Sequence, residues 1–391
     1  MALTLNCNFK YDFYIESITG IEPHLTLSHL DIPQSLQDDY DGYLSPKFID
    51  DFTVFTAYAD ICLKEFGDRV KHWITFNEPK IQTIIGNDLG IFPPSRCSYP
   101  FGVSCSVGNS TTEPYIGAHT ILLSHASAAQ LYREKYQGIQ RGQIGITIVA
   151  FWLKSVSDSP KEDITAKQRM LDFHLGWFLD PLVYGDYPAT MKNIVGSRLP
   201  FFTENDSKQL KISCDFIGLN HYFEFHVGDL PITFSKYGND YVRDISVRGL
   251  FSKSLLQRDS TSSSNPRSLQ RLLEYVNVKY KNPAVVIHEN GFRSDGDNCN
   301  AQALNDTERI EYLQSYIGSL LLSIRNGSDV RGHFVWSFMD CFELLFAYKS
   351  HYGLYAVDFN DQKRKRYPRM STRWFSSFLA KEKNNAGITS Y

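Results

Sequence analysis

Three observations predict a parallel β/α architecture. Strand-like and helix-like segments alternate along most of the chain. Two β-branched or aromatic runs, Ile74-Thr75-Phe76-Asn77-Glu78-Pro79 and Val285-Val286-Ile287-His288-Glu289-Asn290-Gly291, each end in a glutamate closed by a turn former. The 391 residues are 42% apolar, enough for a sizeable core and long enough for one large α/β barrel or two ordinary domains. In such a sheet or barrel the C-terminal strand ends share a face, so two glutamates at strand ends could line one pocket.

The elements follow in order. Pro23 to Leu27 reads as a short strand. Phe48 to Phe66 reads as a helix, because Phe48, Phe52, Phe55, Ala59, Cys62 and Phe66 recur at steps of three and four. Val70 to Phe76 is the next strand, and a Gly/Pro/Ser-rich loop runs from Gly86 to about Glu113. Pro114 to Tyr136 reads as a long helix with proline in its first turn. Ile144 to Phe151 is a strand, Ile164 to Leu179 a helix, Asp215 to Asn220 a strand, and Leu269 to Tyr280 a helix. Ala284 to His288 is a strand. Asp306 to Ile324 is a helix capped by Asn305 or Asp306, with Glu308 in its first turn. Val330 to Phe338 is a strand, and Ser371 to Leu379 a closing helix. Tyr237 to Asp259 gives no clear signal, and Arg258 to Ser264 is a Ser-rich surface stretch. These readings give six core strands, two short of a closed eight-strand barrel.

Composition excludes several classes. A net charge of −3 provides no global field for nucleic acid or acidic membrane. Lys363-Arg364-Lys365-Arg366, with Arg369 nearby, reads as a solvated surface loop. No run of 18 apolar residues exists, so no membrane span is expected, and the first ten residues lack the pattern of a signal peptide. The seven cysteines show no zinc spacing; Cys97 and Cys105 are close enough in sequence to bridge. Asn109, Asn205, Asn305 and Asn326 head glycosylation triplets, which are weak evidence for secretion.

Two facing carboxylates are the minimum apparatus for cleaving a glycosidic bond. One must hold a proton for the leaving oxygen while the other stays ionised, and burial or a neighbouring charge separates their pKa values. Retaining enzymes set the pair about 5 Å apart and inverting enzymes farther, by roughly 1–4 Å.

Thr75-Phe76-Asn77-Glu78-Pro79 resembles the acid/base motif of family 1 glycoside hydrolases, and Ile287-His288-Glu289-Asn290-Gly291 resembles their nucleophile motif. The likeness extends through Gly20-Ile21-Glu22-Pro23-His24, Glu65-Phe66-Gly67-Asp68-Arg69-Val70, Gly185-Asp186-Tyr187-Pro188, Val330-Arg331-Gly332 and Tyr352-Gly353-Leu354, and is strongest to plant-type β-glucosidases. The resemblance implies a (β/α)8 TIM barrel, a single glycosidase domain over residues 1–391, and retaining hydrolysis of a small-molecule β-D-glucoside without a cofactor. Glu289 would attack the anomeric carbon; Glu78 would protonate the aglycone and then activate water. By position, Asn77 would bind the sugar 2-hydroxyl and His29 a further hydroxyl. Asn220 belongs to the same substrate-binding set, and Tyr222 would orient Glu289 and keep it ionised. Trp336 would stack under the sugar, and Glu343 would grip its distal hydroxyls. Cys97 and Cys105 match a loop disulfide, which together with the family habit suggests a secreted, vacuolar or apoplastic setting.

The chain also departs from the family. Leu344 stands where many members have a second sugar-binding tryptophan, Leu30 replaces an aromatic residue beside His29, and Asp340-Cys341 stands where Asp-Asn is common. Members carry two further strand–helix units before the Gly-Ile-Glu-Pro segment, including a glutamine for the glucose 3- and 4-hydroxyls. Here 19 residues precede that segment, so the expected barrel is incomplete, with the first two β/α units missing. Two alternatives to hydrolysis follow: a catalytically impaired fragment, or a transglucosidase using acyl-glucose donors. A thioglucosidase typically replaces the acid with glutamine, whereas Glu78 is present.

Overall fold

The computed structural model describes residues 21–48, 54–156, 161–233, 236–248, 265–296 and 299–386. Cys7, Gly20, Phe52 and the Arg258–Ser264 stretch lie outside them. The strands are β1 (His24–His29), β2 (His72–Asn77), β3 (Gln143–Val149), β4 (Trp152–Ser155), β5 (Phe216–Asn220), β6 (Glu224–Asp229), β7 (Val247–Arg248), β8 (Val285–Glu289), β9 (Ser294–Asp295), β10 (Val330–His333), β11 (Ser350–His351), β12 (Tyr355–Val357) and β13 (Arg366–Pro368).

Six of them form the main sheet in the order β1-β2-β3-β5-β8-β10. This is the chain order, and β2 runs parallel to both β1 and β3. Helices fill the connections between these neighbours, as parallel pairing requires. The six are the strands read from the sequence. The inner four, β2, β3, β5 and β8, are almost wholly buried, the mark of a sheet covered on both faces, whereas β1 and β10 are mostly half-buried. Three small sheets, β4-β6-β7, β9-β11 and β12-β13, were not legible, because strands of two to six residues carry too few alternations.

The chain divides into two compact units. The first comprises residues 1–219, 225–257 and 283–285; the second comprises 220–224, 258–282 and 286–391. In the first, helix Glu113–Leu131 packs on helices Val54–Phe66 and Pro79–Asn87. Phe55 stacks on Phe76 of β2 with ring centres 4.2 Å apart, and Trp73 is completely buried. In the second, helix Pro266–Lys279 packs on helix Thr307–Arg325. Leu269, Leu272 and Leu313 are buried there without exposure.

Several sequence readings need correction. The helix read from Ile164 to Leu179 spans Lys161–Leu171, a wider π-helical turn Asp172–Gly176, and Trp177–Tyr184. The segment from Leu179 to Asp215, left without elements, holds helices Ala189–Val195 and Glu204–Lys211. The second opens on a reciprocal capping box, with Thr203 accepting from Asp206 N–H and Asp206 accepting from Thr203 N–H. The strand read to Phe338 stops at His333. Beyond it the amides bond in turn to different segments, Phe334 N–H to Ile287 O at 2.8 Å, Trp336 N–H to Asn290 O at 3.0 Å and Ser337 N–H to Tyr352 O at 3.2 Å. Arg369 is not part of the exposed basic loop. It is 1% exposed and grips the fully buried Asp340 carboxylate at 2.9 and 3.2 Å. Lys363 to Arg366 are exposed, as read.

Candidate active site

The first unit carries His29, Asn77 and Glu78. Pairing of β1 with β2 sets His29 directly beside Asn77, and Asn77 Nδ2 lies 3.3 Å from His29 Nε2. Asn77 is 5% exposed, and Glu78 is half-buried. The chain turns sharply at Glu78, which takes the left-handed conformation (φ 48°, ψ 48°). A non-glycine residue costs on the order of 1 kcal/mol there, and such residues gather at functional sites. Two neighbours fix the turn: Glu78 N–H donates to Thr147 O of β3 at 2.9 Å, and Pro79 starts the helix Pro79–Asn87. The proline read as a turn former is therefore also the first residue of a helix, where its missing N–H costs nothing. The Glu78 side chain does not cap that helix.

The loop after this helix is closed by a disulfide between Cys97 and Cys105, with Cα atoms 5.3 Å apart. Arg96 beside it pairs with Glu113 through two bonds, at 2.9 and 2.7 Å. Cys62, Cys214 and Cys341 are free thiols.

The second unit carries Asn220, Tyr222, Glu289, Trp336, Glu343 and Leu344. Asn220 ends β5 and Glu289 ends β8; both are buried, and His221 N–H donates to Glu289 O at 2.9 Å. This places Tyr222 against the glutamate, and its hydroxyl donates to Glu289 Oε2 at 2.7 Å. A short bond from a neutral donor favours the ionised carboxylate.

Sequence reasoning quoted Asn290 in a motif but gave it no task. It is fully buried, and its amide nitrogen donates to His221 O at 2.7 Å and to the Tyr312 hydroxyl at 2.8 Å. Its oxygen, 3.2 Å from His333 Nε2, accepts from that ring. Burial pushes His333 down to about 4, so the ring stays neutral. Asn290 thus ties the chain after Glu289 to three elements. Next to it, a Cβ on Gly291 would fall 1.9 Å from the Trp336 carbonyl oxygen, so no larger residue fits without backbone movement. His333 and Tyr312 could not be found from sequence, since only the folded contacts single them out.

Trp336 is half-buried, the peptide after it is cis, and its Nε1–H donates to Glu343 Oε1 at 3.1 Å. The Cys341 thiol, 3.4 Å away, donates to the same oxygen. Burial raises the Glu343 pKa, and these two donors oppose the rise. Leu344 is 48% exposed and takes a positive φ of 41°. Asp340, before Cys341, is held by Arg369, while Arg309 bonds the carbonyls of Phe292, His351 and Gly353 beneath this segment.

Among the described residues, no cluster of three or more His, Cys, Asp or Glu side chains could hold a metal ion. No described helix is long and apolar enough to cross a membrane.

In the parallel β/α sheet Glu78 directly follows β2, while Glu289 ends β8 and accepts a bond from Tyr222. The sequence profile of glycosyl hydrolase family 1 matches residues 11–384. Beta-glucosidase 22 of Oryza sativa subsp. japonica is 49% identical over 373 residues, covering 93% of this chain and 68% of that protein. The cyanidin 3-O-glucoside 7-O-glucosyltransferase (acyl-glucose) of Delphinium grandiflorum is 47% identical over 375 residues, with 95% and 71% covered. A crystal structure of a rice β-glucosidase matches with a TM-score of 0.88 at 40% identity, covering 94% of this chain and 78% of that one. The chain belongs to glycosyl hydrolase family 1. Its fold class is the family's (β/α)8 barrel, and it is an enzyme of the β-glucosidase kind.

Proposed function

We propose that this chain hydrolyses β-D-glucosides by double displacement with net retention. Glu289 attacks the anomeric carbon and forms a glycosyl-enzyme; Glu78 first protonates the aglycone oxygen and then takes a proton from the water that releases glucose. The observation that carries the reading is the 2.7 Å bond from Tyr222 to Glu289, which keeps that carboxylate ionised and aimed. A variant of the matched rice enzyme in covalent complex with glucose supports a covalent path. Asn77 and His29 would take sugar hydroxyls, with Asn77 on the 2-hydroxyl, where a bond strengthens in the transition state. Trp336 would stack under the ring while Glu343, fixed by the Trp336 indole, takes the distal hydroxyls. Asn220 and Leu344 would complete the lining.

The test is an aryl β-glucoside assay with the anomer of released glucose read by NMR. β-Glucose released first is expected; α-glucose, or a cooperatively folded protein that releases none, overturns the reading. Glu289→Gln should abolish turnover. Glu78→Gln should slow poor leaving groups by about 100- to 10,000-fold, and azide should rescue Glu78→Ala.

A second reading is favoured by the Delphinium relative, whose identity nearly equals that of the rice β-glucosidase. Transfer from an acyl-glucose shares the chemistry as far as the glycosyl-enzyme and differs in whether an acceptor displaces water. Incubation with an acyl-glucose and a flavonoid distinguishes them: a flavonoid glucoside exceeding free glucose would identify a transglucosidase.

A further inference from the structure

Two residues beyond Glu78, the helix Pro79–Asn87 carries a buried lysine. Lys80 is 5% exposed, although lysine is almost never buried without a partner. Its Nζ contacts Nδ1 of His174, lies 3.1 Å from the His174 carbonyl oxygen, and sits 5.9 Å from the centre of the Phe151 ring. The titratable groups facing it are Glu78, from its own turn, and His174, from the turn 172–176. Phe151, just after β3, offers only its ring. Among the described residues, the helix Glu113–Leu131 packed alongside adds no charge acting on Lys80.

The far side of the imidazole fixes where the protons are. Phe151 N–H donates to His174 Nε2 at 2.8 Å. A backbone amide can only donate, so Nε2 presents its lone pair, and a neutral imidazole then carries its proton on Nδ1. That proton faces Lys80 Nζ, which must accept it. An amine has one lone pair for this and can still donate to the His174 carbonyl; an ammonium has none.

We propose that His174 holds Lys80 as a neutral amine beside Glu78, and so keeps a cation away from the acid/base carboxyl. His174 and Lys80 are then positioning residues, and the proposal rests on the acid/base reading of Glu78. An ammonium at this place would favour ionised Glu78, and the acid would lose its proton at lower pH. Burial acts in the same direction as the geometry: it drives Lys80 well below the usual lysine range, and the Glu78 charge opposes the shift.

The charge on Lys80 can be read directly by 15N NMR of protein labelled at lysine Nζ. At neutral pH a neutral-amine resonance that disappears in Lys80→Met is expected; an ammonium resonance in its place overturns the proposal. This readout does not depend on what Glu78 does, whereas azide rescue of Glu78→Ala tests that role alone. In kinetics, Lys80→Met should leave the basic limb of kcat/KM in place, because no charge is removed. A rise of that limb by about one unit would show a charged lysine and overturn the idea. His174→Asn, or His174→Gln where the first does not fold, removes the Nδ1–H donor and lets the amine charge. The limb should then fall by about one unit or more, and a limb that stays in place would remove His174 from the device.

Discussion

Tyr222 and Asn290 show how much chemistry a single side chain carries here. The Tyr222 hydroxyl donates to Glu289, a bond that favours the ionised carboxylate. Tyr222→Phe keeps the ring and removes the bond, so the Glu289 pKa should rise and the acid limb of the pH–rate profile should move to higher pH. A hydrogen bond to a charged group contributes about 1.5–3 kcal/mol, so kcat/KM should fall about 10- to 100-fold. A profile unchanged in both height and acid limb would show that Tyr222 does not support Glu289. At this scale the sequence was informative, because glutamates closing strands and the residues around them stand in order along the chain. Lys80, His174 and His333 were silent: a lysine after a proline says nothing of its charge until its neighbours are known.

The elements were legible in proportion to their length and regularity. The six sheet strands and the long helices declared themselves through apolar runs and three-and-four spacing. The helix Pro79–Asn87 did not, since it follows the β2 strand with one residue between and its proline reads equally as a stop. Asn305 or Asp306 is the sequence's candidate cap for the helix Thr307–Arg325; Asp306 holds the cap position, yet its side chain serves elsewhere. Its carboxylate takes Arg309 at 2.6 Å and the backbone and hydroxyl of Ser371 at 2.8 and 2.6 Å. A tertiary demand thus overrode a local preference, which sequence alone cannot reveal. The Cys97–Cys105 bridge belongs to this scale too. It closes a short loop in the unfolded chain, so replacing both cysteines by serine should cost about 2–3 kcal/mol. Urea unfolding with and without reductant checks this, and equal midpoints would contradict it.

The molecule as a whole stores charge inside, and its stability should therefore follow pH. In the first unit Asp88 is fully buried at the end of helix Pro79–Asn87. Burial, then the nearby carboxylates Asp240 and Asp244, push its pKa up to about 8. Both neighbours are themselves raised by burial, Asp244 while bonded to Tyr115 at 2.5 Å and to Arg198 at 2.8 and 2.9 Å. The native Asp88 thus binds a proton that the unfolded chain has released, from about the ordinary aspartate value of 3.9 upward. Its contribution must fall as pH rises from there to about 8, and level off above. Thermal unfolding across that range should show the decline, and Asp88→Asn should flatten it. A decline of equal steepness in the variant would assign it to other groups.

Gly291 has a practical bearing on any attempt to redesign this enzyme. With only 1.9 Å between a would-be Cβ and the Trp336 carbonyl, the turn after Glu289 and the backbone of Trp336 occupy one shared space. Gly291→Ala should disturb both together, visible as lost turnover accompanied by changed tryptophan fluorescence. A library that varies the 336–344 segment, while holding the 289–291 turn constant, would therefore be altering the support of Glu289 without intending to. The two stretches are best treated as a single mutable cassette, inherited or exchanged together.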